Sequence, residues 1–346
     1  MFFEKKTSKR TLLGIQNLLR ISALKSSNSN ILLNLNVEIS LPGMLLKEIK
    51  SKISLTQDLL KITRALELVS AVKMRKAQKL ALSSRPFTEV VLKVLGELSE
   101  RPEEIRKSFY FLEKKVKKTL VVVVSSDRGF CGAFNKNITN FAEREIEKLK
   151  EVELFTIGKK AINFFKRKNY KALVEFSGIG DYGKFEEVKP IADKLLNYFK
   201  ENRFQKIILF YTDFISSFSQ KPTKIQILPI NLKEIEEILK NYQLKPQKNH
   251  PPAVIQHPSS KYYILLEPSP REIFENLVPQ LVRYLIYHSI LEANASEHSA
   301  RMMAMRRANE NANEILKKLT LEYNKARQAQ ITAEVCETAM AKEATK

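Results

Sequence analysis

The last 67 residues of the chain, Gln280 to Lys346, contain neither glycine nor proline. At 1.5 Å per residue that predicts one helix of roughly 100 Å, against an average of ~11–12 residues for a helix in a globular protein. Within it Ala308, Ala312, Ile315, Leu319, Tyr323 and Ala326 recur at steps of three and four, a narrow stripe rich in alanine that lets a partner helix approach closely. A helix this long cannot bury itself against a single mid-sized domain. It needs a second long helix.

The other end of the chain supplies one. Met44 to Arg85 is also free of glycine and proline, and its 42 residues make a rod of roughly 60 Å. Leu55, Leu59, Ile62, Leu66 and Val69 alternate steps of four and three, the spacing of a coiled-coil seam. The polar stretch Lys73–Lys79 interrupts that seam. Pro86 predicts a bend, with Phe87–Leu98 as a further helical piece.

Between the two rods the period changes. Strands are expected at Thr119–Ser125, Val152–Ile157, Lys171–Phe176 and Lys206–Thr212, with helices at Asn137–Lys150, Lys159–Lys168 and Phe185–Glu201. Strand alternating with helix implies parallel strands joined by crossovers. Lys224–Pro229 reads as an edge strand, Lys245–Lys261 as a proline-rich loop and Tyr262–Leu266 as a last strand. The expected fold class is therefore α/β: a long antiparallel coiled coil of the N- and C-terminal helices plus a central Rossmann-like α/β domain. Its divisions are an N-terminal shaft helix and following helix over 44–117, an α/β knob over 118–268 and a C-terminal shaft helix over 269–346. Residues 1–43, basic and rich in Ser and Asn, read as an extension outside the folded protein.

Composition narrows the function. Lys plus Arg exceeds Asp plus Glu by 21, and the excess is uneven: ten basic against three acidic residues in Met44–Arg85, but ten against eight in Gln280–Lys346. A cationic zone around Lys73–Lys79 and Arg301–Arg307 fits phosphates or an acidic protein face. Aromatic residues are absent from that zone, so base stacking has no platform. Two cysteines cannot form a disulfide framework, and the four histidines lack the spacing of a metal site. No apolar run approaches the ~20 residues of a membrane span.

Two motifs are open to catalytic readings. Gly178-Ile179-Gly180-Asp181-Tyr182-Gly183 matches a dinucleotide fingerprint, but it follows the third strand instead of the first and lacks the acid expected about twenty residues on, which favours a plain turn. Ser125 to Gly132 closes the first strand and contains Arg128 and Cys131, the ingredients of an activated thiol. With no histidine near it in sequence, a structural turn is the better reading.

Four blocks resemble the gamma subunit of F-type ATP synthase: Lys47–Ile53 with Lys61–Val69 and Lys73–Gln78; Ser126–Asn135; Tyr263–Pro268; and Leu291–Met305 running on to Leu319–Thr332. They fall in the family's order across residues 44–346. The resemblance implies a non-catalytic central shaft for proton-driven ATP synthesis. Its partners would be the alpha and beta subunits of the catalytic hexamer, the epsilon subunit and the membrane c-ring, with no cofactor and no nucleic acid. A basic coiled-coil nucleic-acid binder is the alternative. The implied location is the cytoplasmic face of the bacterial plasma membrane, with the mitochondrial inner membrane second. By the same resemblance Arg301 and Gln328 would contact the catch loops of beta subunits, and Lys61, Arg64, Leu66, Lys73, Arg75 and Lys76 would face their acidic lever. Leu66 stands where the family commonly has Met, and Cys336–Lys346 departs from the family's small apolar ending.

Overall fold

The computed structural model describes residues 42–99, 109–110, 114, 116–181, 183–230 and 269–344. Residues 1–41 of the extension expected over 1–43, the loop at 245–261 and the strand expected at 262–266 lie outside the described residues, and the last two residues of that extension, Pro42 and Gly43, instead open the first helix. The elements in chain order are α1 (Pro42–Ser99), β1 (Thr119–Val124), α2 (Phe134–Ile146), β2 (Val152–Ile157), α3 (Lys159–Arg167), β3 (Ala172–Phe176), α4 (Phe185–Lys200), β4 (Lys206–Phe214), β5 (Gln220–Leu228) and α5 (Pro270–Ala344). Helix α1 continues through Pro86 where a bend was expected, and α5 starts ten residues before Gln280 and absorbs Pro279.

The sheet has the order β3-β2-β1-β4-β5. Strands β1 to β4 run parallel, and β5 returns antiparallel along the edge of β4. Alternating strands and helices required the parallel pairs, because each crossover needs a helix. Central β1 is an all-buried run, Thr-Leu-Val-Val-Val-Val, as a strand covered on both faces must be. Leu120, Val122 and Val124 face α4 and the early part of α5, packing with Val188, Leu195, Leu285 and Ile290. Val121 and Val123 face the other way, onto Ile138 and Ala142 of α2 and Phe165 of α3.

The chain forms two compact units, one of residues 1–65 with 306–346, the other of residues 66–305. In the second unit α5 is a domain helix, with Val278, Leu281, Val282, Ile286 and Ile290 all buried. The expectation that this helix would find its partner only in another long helix is corrected here: its first third lies on the sheet. In the first unit α1 and α5 meet where the Thr63 hydroxyl is shared between the Leu59 carbonyl and the side-chain oxygen of Asn309.

The seam of α1 is also corrected. Leu55 (52% exposed), Ile62, Leu66 and Val69 (50%) look outward, with Leu59 half-buried. The covered positions stand one residue further on: Ile49, Ile53, Thr56, Leu60 and Thr63 in the first unit, then Glu67, Ser70, Met74, Ala77 and Ala81 in the second. They keep steps of three and four, so the period was legible and the phase was not. The covered polar residues give nothing up, because Thr56, Thr63 and Ser70 donate to their own helix at Lys52, Leu59 and Leu66 carbonyls. The alanine-rich stripe of α5 keeps its phase, since Ala308, Ala312, Leu319, Tyr323 and Ala326 are half-buried and only Ile315 is exposed.

Candidate functional site

The loop after β1 is spent on capping α3. The amide of Lys159 donates to Asp127 Oδ1 (2.9 Å), that of Lys160 to the Ser126 carbonyl (3.0 Å) and that of Ala161 to Ser125 Oγ (2.8 Å). These are the orphan donors that would otherwise hold an anion at a helix N-terminus. Gly158 has φ +96°, and a Cβ there would stand 2.2 Å from the Ser125 carbonyl oxygen, so strand and helix close up only around glycine. Asp127 Oδ2 also takes the Gly178 amide (2.8 Å), and Glu187 takes the Gly180 amide (3.1 Å). Two N–H groups that a phosphate would need are thus held by the chain's own carboxylates. The glycine loop is a turn.

A cavity of about 220 Å³ remains at the ends of β1, β2 and β3, walled by Ser126, Asp127, Gly178, Asp181, Asn294 and Glu297. Beside it α1, the glycine loop, the β1 loop and α5 converge on a polar junction. Lys73 of α1 pairs with Asp181 at 2.5 Å, with both side chains about a quarter to a third exposed. The Asp181 carbonyl lies 3.2 Å from His298 Nε2, and His298 Nδ1 lies 3.1 Å from an Arg301 nitrogen. Arg301 also donates to Glu297 and to the Gly129 carbonyl.

Hydrogen-bond polarity settles the state of the imidazole. A guanidinium only donates, so His298 Nδ1 accepts; a carbonyl only accepts, so Nε2 carries the proton. The ring is neutral, and burial accordingly holds its pKa at about 4. Burial also raises the Asp181 carboxyl, but the bond and charge of Lys73, with His298 and Arg128, more than offset this and leave it below its ordinary range. Burial pushes Glu297 up against the pull of Arg301. Cys131 is buried, held by Asn135 Nδ2 at 3.0 Å, and its thiol is pushed up by burial and by Glu297. An activated nucleophile needs the opposite shift.

Of the eight positions singled out by resemblance, two turn inward. Lys73 and Arg301, 228 positions apart, meet through Asp181 and His298, with side chains 22% and 10% exposed. Arg301 was expected to face a partner and not its own chain, yet its donors are engaged internally. The other six face outward. Lys61, which pairs with Asp58 at 3.0 Å, is exposed with Arg64 and Gln328 in the first unit, as are Leu66, Arg75 and Lys76 in the second. Beside them Leu55, Ile62, Leu68, Val69 and Val72 are exposed, Leu68 by 69%. Asp181, Glu297 and His298 escaped sequence reasoning. The one signal for Glu297 and His298 was the dense polar and small-residue run Leu291–Arg301 inside an unbroken helix, and for Asp181 its place in the glycine loop.

A parallel-centred sheet layered between helices, in a chain whose first and last helices run to 58 and 75 residues, defines a class of α/β protein with long terminal helices. The fold resembles the central stalk with c-ring of the Tetrahymena thermophila mitochondrial ATP synthase, at TM-score 0.51 and 21% identity over 71% of this chain and 99% of that one. It also resembles a chain of the Euglena gracilis mitochondrial ATP synthase in rotational state 3, at TM-score 0.55 and 16% identity over 88% and 95%. The family model described as ATP synthase matches residues 45–344. The ATP synthase gamma chain of Roseiflexus castenholzii is 37% identical over 85% of this chain and 96% of its own length, and that of Actinobacillus succinogenes 36% over 84% and 96%. The chain belongs to the ATP synthase gamma-chain family.

Proposed function

We propose that the chain is the central shaft of a proton-translocating ATP synthase, turning inside a catalytic hexamer of alpha and beta subunits. The observation that carries this reading is the outward face of α1, where Leu55, Ile62, Leu66, Leu68, Val69 and Val72 stand exposed beside Lys61, Arg64, Arg75 and Lys76. An apolar face left open while the covered stripe takes in Thr56, Thr63, Ser70, Ala77 and Ala81 calls for a surrounding surface. Its basic residues call for acidic partners. Gln328, exposed on α5, joins this contact set, and Lys73 and Arg301 serve it from inside.

In this reading α1 and α5 run as an antiparallel coiled coil, supported by the Thr63–Asn309 contact, and the α/β domain, described from residue 118 to 230, is a Rossmann-like knob. The knob meets the epsilon subunit and the c-ring. The shaft transmits force and performs no bond chemistry. As it turns, each catalytic site meets a different face and shifts its conformational population by differential contact. Among the described residues no helix is long and apolar enough to cross a membrane, so the chain associates peripherally through the complex. The bacterial relatives favour the cytoplasmic face of the plasma membrane. The test is copurification from membranes: a tagged chain is expected to bring alpha and beta subunits with it. Retention on DNA without those subunits would overturn the reading in favour of a basic nucleic-acid binder.

A further inference from the structure

We infer that the Lys73–Asp181 pair, braced by His298 and Arg301, is a clamp that fastens α1 to the α/β domain so that force on one is delivered to the other. The inference rests on the shaft reading above. The clamp lies within one compact unit and joins four separate pieces of chain, namely α1, the loop after β3, α5 and the loop after β1. Force transfer between parallel elements needs something that resists sliding. The covered stripe of α1 at this level, Ser70, Ala77 and Ala81 around Met74, permits close approach but offers shallow ridges. Directional charged bonds are what hold register there.

The bonds form a closed set. Lys73 donates to the Asp181 carboxylate, His298 to the Asp181 carbonyl, and Arg301 to His298, Glu297 and the Gly129 carbonyl. Asp181 is held through both its side chain and its backbone, so the loop cannot swing without breaking a bond to α1 or to α5. Glycines on either side of it, Gly180 and Gly183, are pinned in turn, the first by the Glu187 carboxylate and the second by its own amide bond to the Gly180 carbonyl (2.8 Å). That is the geometry of a fixed strut. Lys73 and Asp181 are therefore positioning residues for torque.

Asp181→Asn keeps the shape and loses the charge, and Asp181→Glu keeps the charge. In the isolated full chain, amide exchange over residues 66–81 of α1 is expected to rise roughly tenfold in Asp181→Asn, since the carboxylate charge that strengthens the Lys73 bond is lost, and to stay near wild type in Asp181→Glu. In the assembled synthase in vesicles, Asp181→Asn is expected to lower protons pumped per ATP hydrolysed by about twofold or more, as expected when a coupling contact loosens, with Asp181→Glu restoring the ratio. A merely structural role would lower hydrolysis and pumping together, and that outcome overturns the clamp. So does unchanged exchange in Asp181→Asn, or raised exchange with an unchanged ratio. Failure of the wild-type chain to assemble with the hexamer would sink the shaft reading instead, and exchange would still report on the fastening.

Discussion

His298 and Cys131 show how burial and polarity set chemistry one residue at a time. With the folded pKa of His298 at about 4 and an ordinary value of 6.5, the unfolded chain binds a proton in that window that the folded chain refuses. Stability is therefore full above pH 6.5 and falls as pH drops toward 4, by of order 3 kcal/mol if the whole shift is expressed. Glu297, raised by burial, slopes the opposite way, while Arg301, Lys73 and Asp181 surround the same ring. The measurement is thus the difference in urea midpoint between wild type and His298→Gln across pH 4–7, expected to be largest near neutrality and to shrink on acidification. A constant difference would contradict the neutral, doubly bonded ring. For the thiols, a maleimide reagent is expected to label exposed Cys336 in seconds to minutes and buried Cys131 only on unfolding. Equal labelling rates in the folded chain would refute the packing of the β1 loop.

Among the elements, strands and domain helices were legible and the seam of α1 was not. A run such as Leu120–Val124 announces a buried strand because its residues suit nothing else, and β2 was read to its end residues, Val152 and Ile157. The stripe of α1 misled because large apolar residues were taken as the covered ones. Hydroxyls bonded to their own helix made smaller residues coverable, and that compensation is invisible in a pattern of hydrophobicity. Two substitutions separate the phases. Ser70→Leu, at a buried position, is expected to cost about 1–3 kcal/mol by overpacking. Val69→Ala, at a seam position 50% exposed, is expected to change the stability of the isolated chain by less than about 0.5 kcal/mol. Chemical denaturation of both variants checks this, and the reverse order would restore the seam through Leu55 and Leu66.

At the scale of the whole molecule, the outward positions are expected to matter only in the complex. Arg75→Ala and Gln328→Ala should leave the unfolding midpoint of the isolated chain unchanged and, on the proposed shaft function, lower ATP synthesis driven by a proton gradient several-fold, as the loss of a bond to a charged partner group would. Wild-type synthesis rates in reconstituted vesicles for both variants would remove these residues from the contact set. The sequence alone determined the long terminal helices, the parallel α/β domain and the gamma-chain family, because periodicity, β-branched runs and ordered motifs are local properties of the chain. Tertiary structure decided which face of α1 is covered, that α5 begins as a domain helix, and that Lys73 and Arg301 turn inward to Asp181 and His298. Those outcomes depend on which distant groups arrive to satisfy a charge or a hydroxyl once it leaves water, and no local pattern encodes the identity of a partner 108, 117 or 172 positions away.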